Sequence, residues 1–182
     1  DVYMLTANYD TQFRLYLQDQ VTFPKPPSSD QLYINYSSEL NKIKSISDEI
    51  IYHPVKYKIL FGSKADSNLQ ATFKIVKNPE AVINDNDLKT EVLSAINRFF
   101  ALENWDFGDT FYFSELSAYI LQELSPNLVT FVVVPNNETD VFGSLFEVKA
   151  ESDEIFISGA RVNDIAIIDA VTASKLKASG SI

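Results

Sequence analysis

The apolar positions first suggest strands. In "YDTQFRLYLQDQ" (9–20), Phe13, Leu15 and Leu17 fall on one face, with Gln12, Arg14 and Gln18 opposite, the period of a half-buried strand. In "PVKYKILF", Val55, Tyr57, Ile59 and Phe61 share a face opposite Lys56 and Lys58; in "LQATFKIVK", Leu69, Ala71, Phe73 and Ile75 face away from Gln70, Thr72 and Lys74. The turn-forming connector "GSKADSN" predicts that these two runs form an antiparallel hairpin with one wet, lysine-bearing face. "LVTFVVV" (128–134) is apolar on both faces, as a strand covered on both sides or central in its sheet would be. "LFEVK", "EIFIS" and "DIAII", separated by "AESDE" and "GARVN", read as a meander.

Helical spacing governs three other segments. Leu32, Tyr36, Leu40 and Ile43 recur every three or four residues after Ser28, which with Gln31 fits a capping box, although "LYINY" also alternates. "NDNDLKTEVLSAINRFFALEN" carries the stripe Leu88, Val92, Ile96, Phe99 and Phe100, with Asp87 as the expected cap. "SELSAYILQEL" turns Leu116, Ile120 and Leu124 inward, with Ser114 as the expected cap, Phe113 stapled onto Ala118, and Pro126 as the stop.

This order predicts an α+β fold: a mostly antiparallel sheet with two adjacent helices packed on it, plus an N-terminal strand or arm. "TFPKPPSSD" (22–30) breaks the chain. The expected organisation is an N-terminal strand and Pro-rich linker over 1–30, an α+β domain over 31–170, and a mobile tail over 171–182.

Composition narrows the function. A chain of 182 residues that is 46% hydrophobic can bury roughly 70% of its unfolded surface without staples. It has no Cys, which removes disulfides, thiol nucleophiles and thiolate metal sites. Its formal charge of −10 repels phosphate backbones and anionic lipid, so neither nucleic acid nor membrane is an expected partner. The chain begins at Asp1 with no charged-then-apolar leader, which reads as a piece of a longer polypeptide.

Candidate chemistry is sparse. His53 is the single histidine and has no nearby Ser or Cys elbow, so it reads as structural or surface. The triplet "SDE" at 47–49 and 152–154 could supply paired carboxylates for glycoside hydrolysis. The second triplet belongs, however, to an acidic run (Glu138, Asp140, Glu147, Glu151, Asp153, Glu154) that reads better as a solubilising edge. The five glycines are scattered and build no phosphate cradle. Lys56, Lys58, Lys64, Lys74 and Lys77, with only Asp66 among them, read as a solvated face, or as a basic patch meeting the acidic 138–154 region of a neighbouring subunit. No catalytic residue, cofactor site or metal site is expected.

The stretch "ENWDFGDTFYFSEL" (103–116) is the densest aromatic run. Phe111 and Phe113 lead into a helix, while Trp105 and Phe107 follow the preceding one across Gly108. Rings at such a junction would fix the angle between the helices and complete the core.

A helix of the "LSAINRFF" kind, then "WDFGDTFYFSEL", a second helix and a strand like "LVTFVVV" resembles the C-terminal part of the baseplate J-like family. These are wedge subunits of contractile phage tails, and within the family the chain looks most like the large wedge subunits of the T-even type. The resemblance spans about 54–170, with Pro126 and Asn127 where the family commonly has a small residue or glycine. It implies a non-enzymatic virion protein, assembled in the host cytoplasm. Such subunits dimerise and join other wedge proteins into a ring around the tail hub, with no small-molecule substrate. Two rivals remain: a carbohydrate-binding module for host attachment using Trp105, Tyr33 and Tyr36, and a hydrolase using Asp153 and Glu154.

Overall fold

The computed structural model describes residues 1–42, 50–137, 143–172 and 175. In chain order the elements are β1 (Val2–Met4), α1 (Ala7–Leu17), α2 (Ser29–Leu40), β2 (Tyr52–Pro54), β3 (Lys56–Leu60), β4 (Ala71–Lys77) and α3 (Asp85–Phe99). They continue with β5 (Thr110–Tyr112), α4 (Phe113–Leu124), β6 (Leu128–Pro135), β7 (Glu147–Lys149), β8 (Glu154–Ser158) and β9 (Ile165–Ile167). The chain is a mixed helix-and-strand protein, as expected. Its sheets are not mostly antiparallel.

The described strands form four small sheets. β1 pairs parallel with β2, β3 pairs parallel with β8, and β5 pairs antiparallel with β7. The fourth has the order β6–β4–β9, antiparallel on one side of β4 and parallel on the other. The expected hairpin of β3 and β4 is therefore absent. After β3, Phe61 and Gly62 both take left-handed backbone angles, with φ of 65° and 74°, and carry the chain out of one sheet toward another. The meander fails likewise, because β7, β8 and β9 each pair with a different, distant strand. β6 is apolar on both faces at its C-terminal end, yet β4 is the central strand.

Residues 7–17 form a helix where alternation predicted a strand. The Thr6 hydroxyl accepts from the Tyr9 amide at 3.3 Å, Asp10 pairs with Arg14 one turn on, and Tyr9 and Phe13 line up at the spacing of four that a helix needs. In eleven residues both periods fit the same side chains, and the cap decides. The Ser28–Gln31 capping box of α2 is present as expected, while Ile43 lies outside the described residues. α3 is capped by Asn84, whose side chain accepts from the Asp87 amide, so the expected cap is displaced by three residues. α4 starts at Phe113 after Tyr112, with no side-chain cap. Ser114 is already inside the first turn.

Two hydrophobic clusters follow. In the larger, α4 lies against β6 and α3 against β9, burying Leu88, Val92, Ile96, Leu116 and Ile120 over Phe73, Ile75 and Phe131. In the smaller, Tyr9 and Phe13 of α1 pack on Val55, Tyr57, Ile155 and Ile157. The centre of "EIFIS" is buried on both faces because Ile155 and Ile157 face α1 while Phe156 faces the larger cluster. Trp105 and Ile59 touch both clusters.

α1 is also tied down by polar groups. The Tyr57 hydroxyl donates to Asp10, and burial first, then this carboxylate, push the phenol well above its ordinary range. At the helix end Asp19 pairs with Lys64 at 2.6 Å and Arg161 at 2.5 Å, which hold its carboxyl below the usual carboxylate range. Residues 1–30 thus dock on the rest of the chain. The expected mobility of the tail falls on residues that, apart from 171, 172 and 175, lie outside those described.

Candidate functional site

The aromatic stretch occupies the seam between the two clusters. Phe111 is buried and its ring lies 5.6 to 6.4 Å from Phe61, Phe99, Phe100, Trp105 and Phe156. Trp105 stacks on Phe100 at 5.5 Å with the planes 8° apart, and meets Phe156 edge-on at 5.1 Å. Its indole N–H donates to the Phe99 carbonyl at 2.8 Å. The ring is therefore fixed on one face, one edge and its polar end. Phe113 is buried, but Phe107 and Tyr112 are 39% and 38% exposed, so the expected inward role of Phe107 is corrected: it stands at the rim.

The remaining surface of Trp105 borders a groove of about 450 Å³, shared with Phe99, Asn104, Asp109, Thr110, Glu115 and Tyr119. Most of its polar groups already bond to the protein. Asn104 donates to the Arg98 carbonyl, and the Asp109 carboxylate accepts from the Asp106 amide. Tyr119, then Glu123, raise the Arg98 guanidinium further above its ordinary value. The sequence points to Trp105, and to Phe99 as a core residue. Asn104, Asp109, Thr110 and Glu115 lie in the same run (103–116) but carry no signal of a groove, and Tyr119 lies beyond it.

The other candidates sit apart. His53 stacks on Tyr3 at 5.0 Å and its Nε2 lies 3.1 Å from the Asp1 carboxylate. Asp153 lies 3.4 Å from Lys56, and Glu154 lies 3.8 Å from Lys56 and 3.3 Å from Lys58. The lysine–carboxylate match anticipated between subunits is thus made within one chain, across the parallel β3–β8 pair. Glu138, Asp140 and the triplet at 47–49 lie outside the described residues. Lys74 is buried on β4, and its amine donates to the Lys175 carbonyl, while desolvation lowers its pKa. Lys77 reaches the Ile83 carbonyl and Asp85. Among the described residues, Gly62 and Gly159 meet backbone to backbone.

Among the described residues no group of three or more His, Cys, Asp and Glu is placed to hold a metal ion. No described helix is long and apolar enough to cross a membrane. The chain is a mixed helix-and-strand protein with an aromatic seam and a shallow groove beside it. Comparison with protein families, characterised proteins and solved structures returns no match.

Proposed function

We propose that this chain is a structural assembly subunit of a contractile-tail baseplate wedge, acting without catalysis and joining neighbouring subunits into a ring. The family reading rests on the sequence resemblance. The observation that carries the assembly reading is the surface around β1 and β2. Among the described residues this two-stranded parallel ribbon has no third strand on either edge. Ile51 directly precedes β2, and Ile34 and Tyr33 lie on α2, which packs against β2; they are 51%, 76% and 56% exposed. Isolated parallel pairs are uncommon at a water surface, and apolar side chains grouped beside an open edge favour association. We assign this face to a second copy of the chain.

Sedimentation tests the assignment. The expected result is a dimer, or a monomer that recruits a baseplate wedge protein. Ile34→Asp places a charge on an outward helical position and leaves the fold intact, so it should weaken self-association at least tenfold. A strict monomer that binds no wedge component, or a dimer indifferent to Ile34→Asp, contradicts the proposal.

A second reading has one observation in its favour. The groove beside Trp105 combines an aromatic wall with Asn104, Asp109 and Glu115, a combination that suits a sugar. The orientation of Trp105, with one face already stacked on Phe100, ranks this carbohydrate-binding alternative below the assembly reading.

A further inference from the structure

The chain contains three arginines, and two of them, Arg14 and Arg161, line a single cavity of about 380 Å³ between α1, α3 and the end of β8. Gln18 and Asn97 add amides to its wall, and Phe100 and Ile157 add apolar surface. From this we infer that the cavity binds a small organic anion: a carboxylate or phosphate head held by the two guanidiniums, with an apolar body against Phe100 and Ile157.

Both arginines are held in place before any ligand arrives. Arg14 Nε donates to Asp10 at 2.9 Å, the carboxylate that also accepts from the Tyr57 hydroxyl. Arg161 Nη2 donates to the Leu17 carbonyl at 2.8 Å and to Asp19 at 2.5 Å. A guanidinium has five N–H donors in a fixed fork, so each retains donors after these bonds are made. The carboxylates that fix them, Asp10 and Asp19, are not part of the cavity wall. An anion therefore meets donors whose rotamers are already locked, which lowers the entropy lost on binding. The arrangement is local in a chain whose formal charge is −10, so it selects small anions rather than polyanions, which the whole surface repels. Its volume suits a ligand of about ten heavy atoms.

The inference is independent of the assembly reading and is tested on the whole chain by calorimetric titration. The probes are phenylphosphate, benzoate and the neutral benzyl alcohol. The expected result is saturable one-to-one binding of at least one anion with Kd below about 1 mM, and no saturation by the alcohol. The tighter anion identifies the head group. Asn97 is an exposed residue on α3, so Asn97→Asp brings a negative charge to the cavity without touching the core, and should weaken the anion at least about fivefold. Arg161→Gln should weaken it about tenfold or more. The inference is overturned if neither anion saturates, if the alcohol binds as well as the anions, or if Asn97→Asp binds like the unaltered chain.

Discussion

Gly62→Ala is expected to cost at least ~4 kcal/mol and to leave the chain largely unfolded at ambient temperature. Gly62 has a φ of +74°, and a Cβ there would sit 1.9 Å from the Gly159 carbonyl oxygen, an approach no carbon tolerates. The obstacle is backbone on both sides and cannot rotate away. Moving it would disrupt the Gly159 amide's bond to the Leu60 carbonyl, at 2.8 Å, which closes the β3–β8 pair. The preceding residue, Phe61, is fully buried and already left-handed, a conformation that costs a bulky residue about 1–3 kcal/mol, so the turn has little slack. Gly108→Ala is the control. Its φ is also positive, at +79°, but the nearest atom to its Cβ would be 3.5 Å away, an ordinary contact. Its cost should stay at about 1–2 kcal/mol, the penalty of the left-handed conformation alone. Urea unfolding of the two variants checks the difference; equal costs would mean that the Gly62–Gly159 contact does not limit the turn.

Phe111→Ala is the second large effect, expected to destabilise by about 3–5 kcal/mol. The Phe111 ring meets rings from the turn after β3 (Phe61), α3 and its C-cap (Phe99 and Phe100), the following loop (Trp105) and β8 (Phe156). Its removal leaves a cavity bounded by side chains from four segments that cannot collapse together. Tyr112→Ala, one residue on but on the exposed side, should cost under ~1 kcal/mol. Denaturation midpoints followed by Trp105 emission report both, and a mild Phe111→Ala would show that the seam carries little of the stability.

These two sites show what the sequence disclosed and what it concealed. The apolar runs that became β3, β4, β6 and β8 are visible along the chain, and so are the stripes of α3 and α4, because burial imposes its period locally. Partnership is not local. Lys56 pairs with Glu154 and Phe73 with both Val133 and Ile165, and no turn signal between them encodes that choice. The connector "GSKADSN" has the composition of a hairpin turn, but Gly62 uses its freedom to approach Gly159. α1 was misread because Phe13, Leu15 and Leu17 satisfy a period of two while Tyr9 and Phe13 satisfy the helix, and only the Thr6 cap separates the cases. The role of Phe111 as a core ring was legible from its place before an apolar stripe. The groove around Trp105 comes from one local stretch, 99–119, but nothing in the sequence of that stretch shows that its side chains enclose a hollow; the two-arginine cavity was not legible because distant segments build it. The rarity of arginine was the one available hint to the second.

The central claim is that the aromatic stretch is spent on joining two hydrophobic clusters, leaving the exterior for assembly. Trp105 is the single tryptophan and stands at that junction, so its emission reads the claim without interference. The account predicts emission well to the blue of free tryptophan, little quenching by iodide, and no change across a panel of glycans. Red emission, ready quenching and a saturable shift with one class of sugar would contradict it, and would make the groove beside Trp105 the working site of the protein.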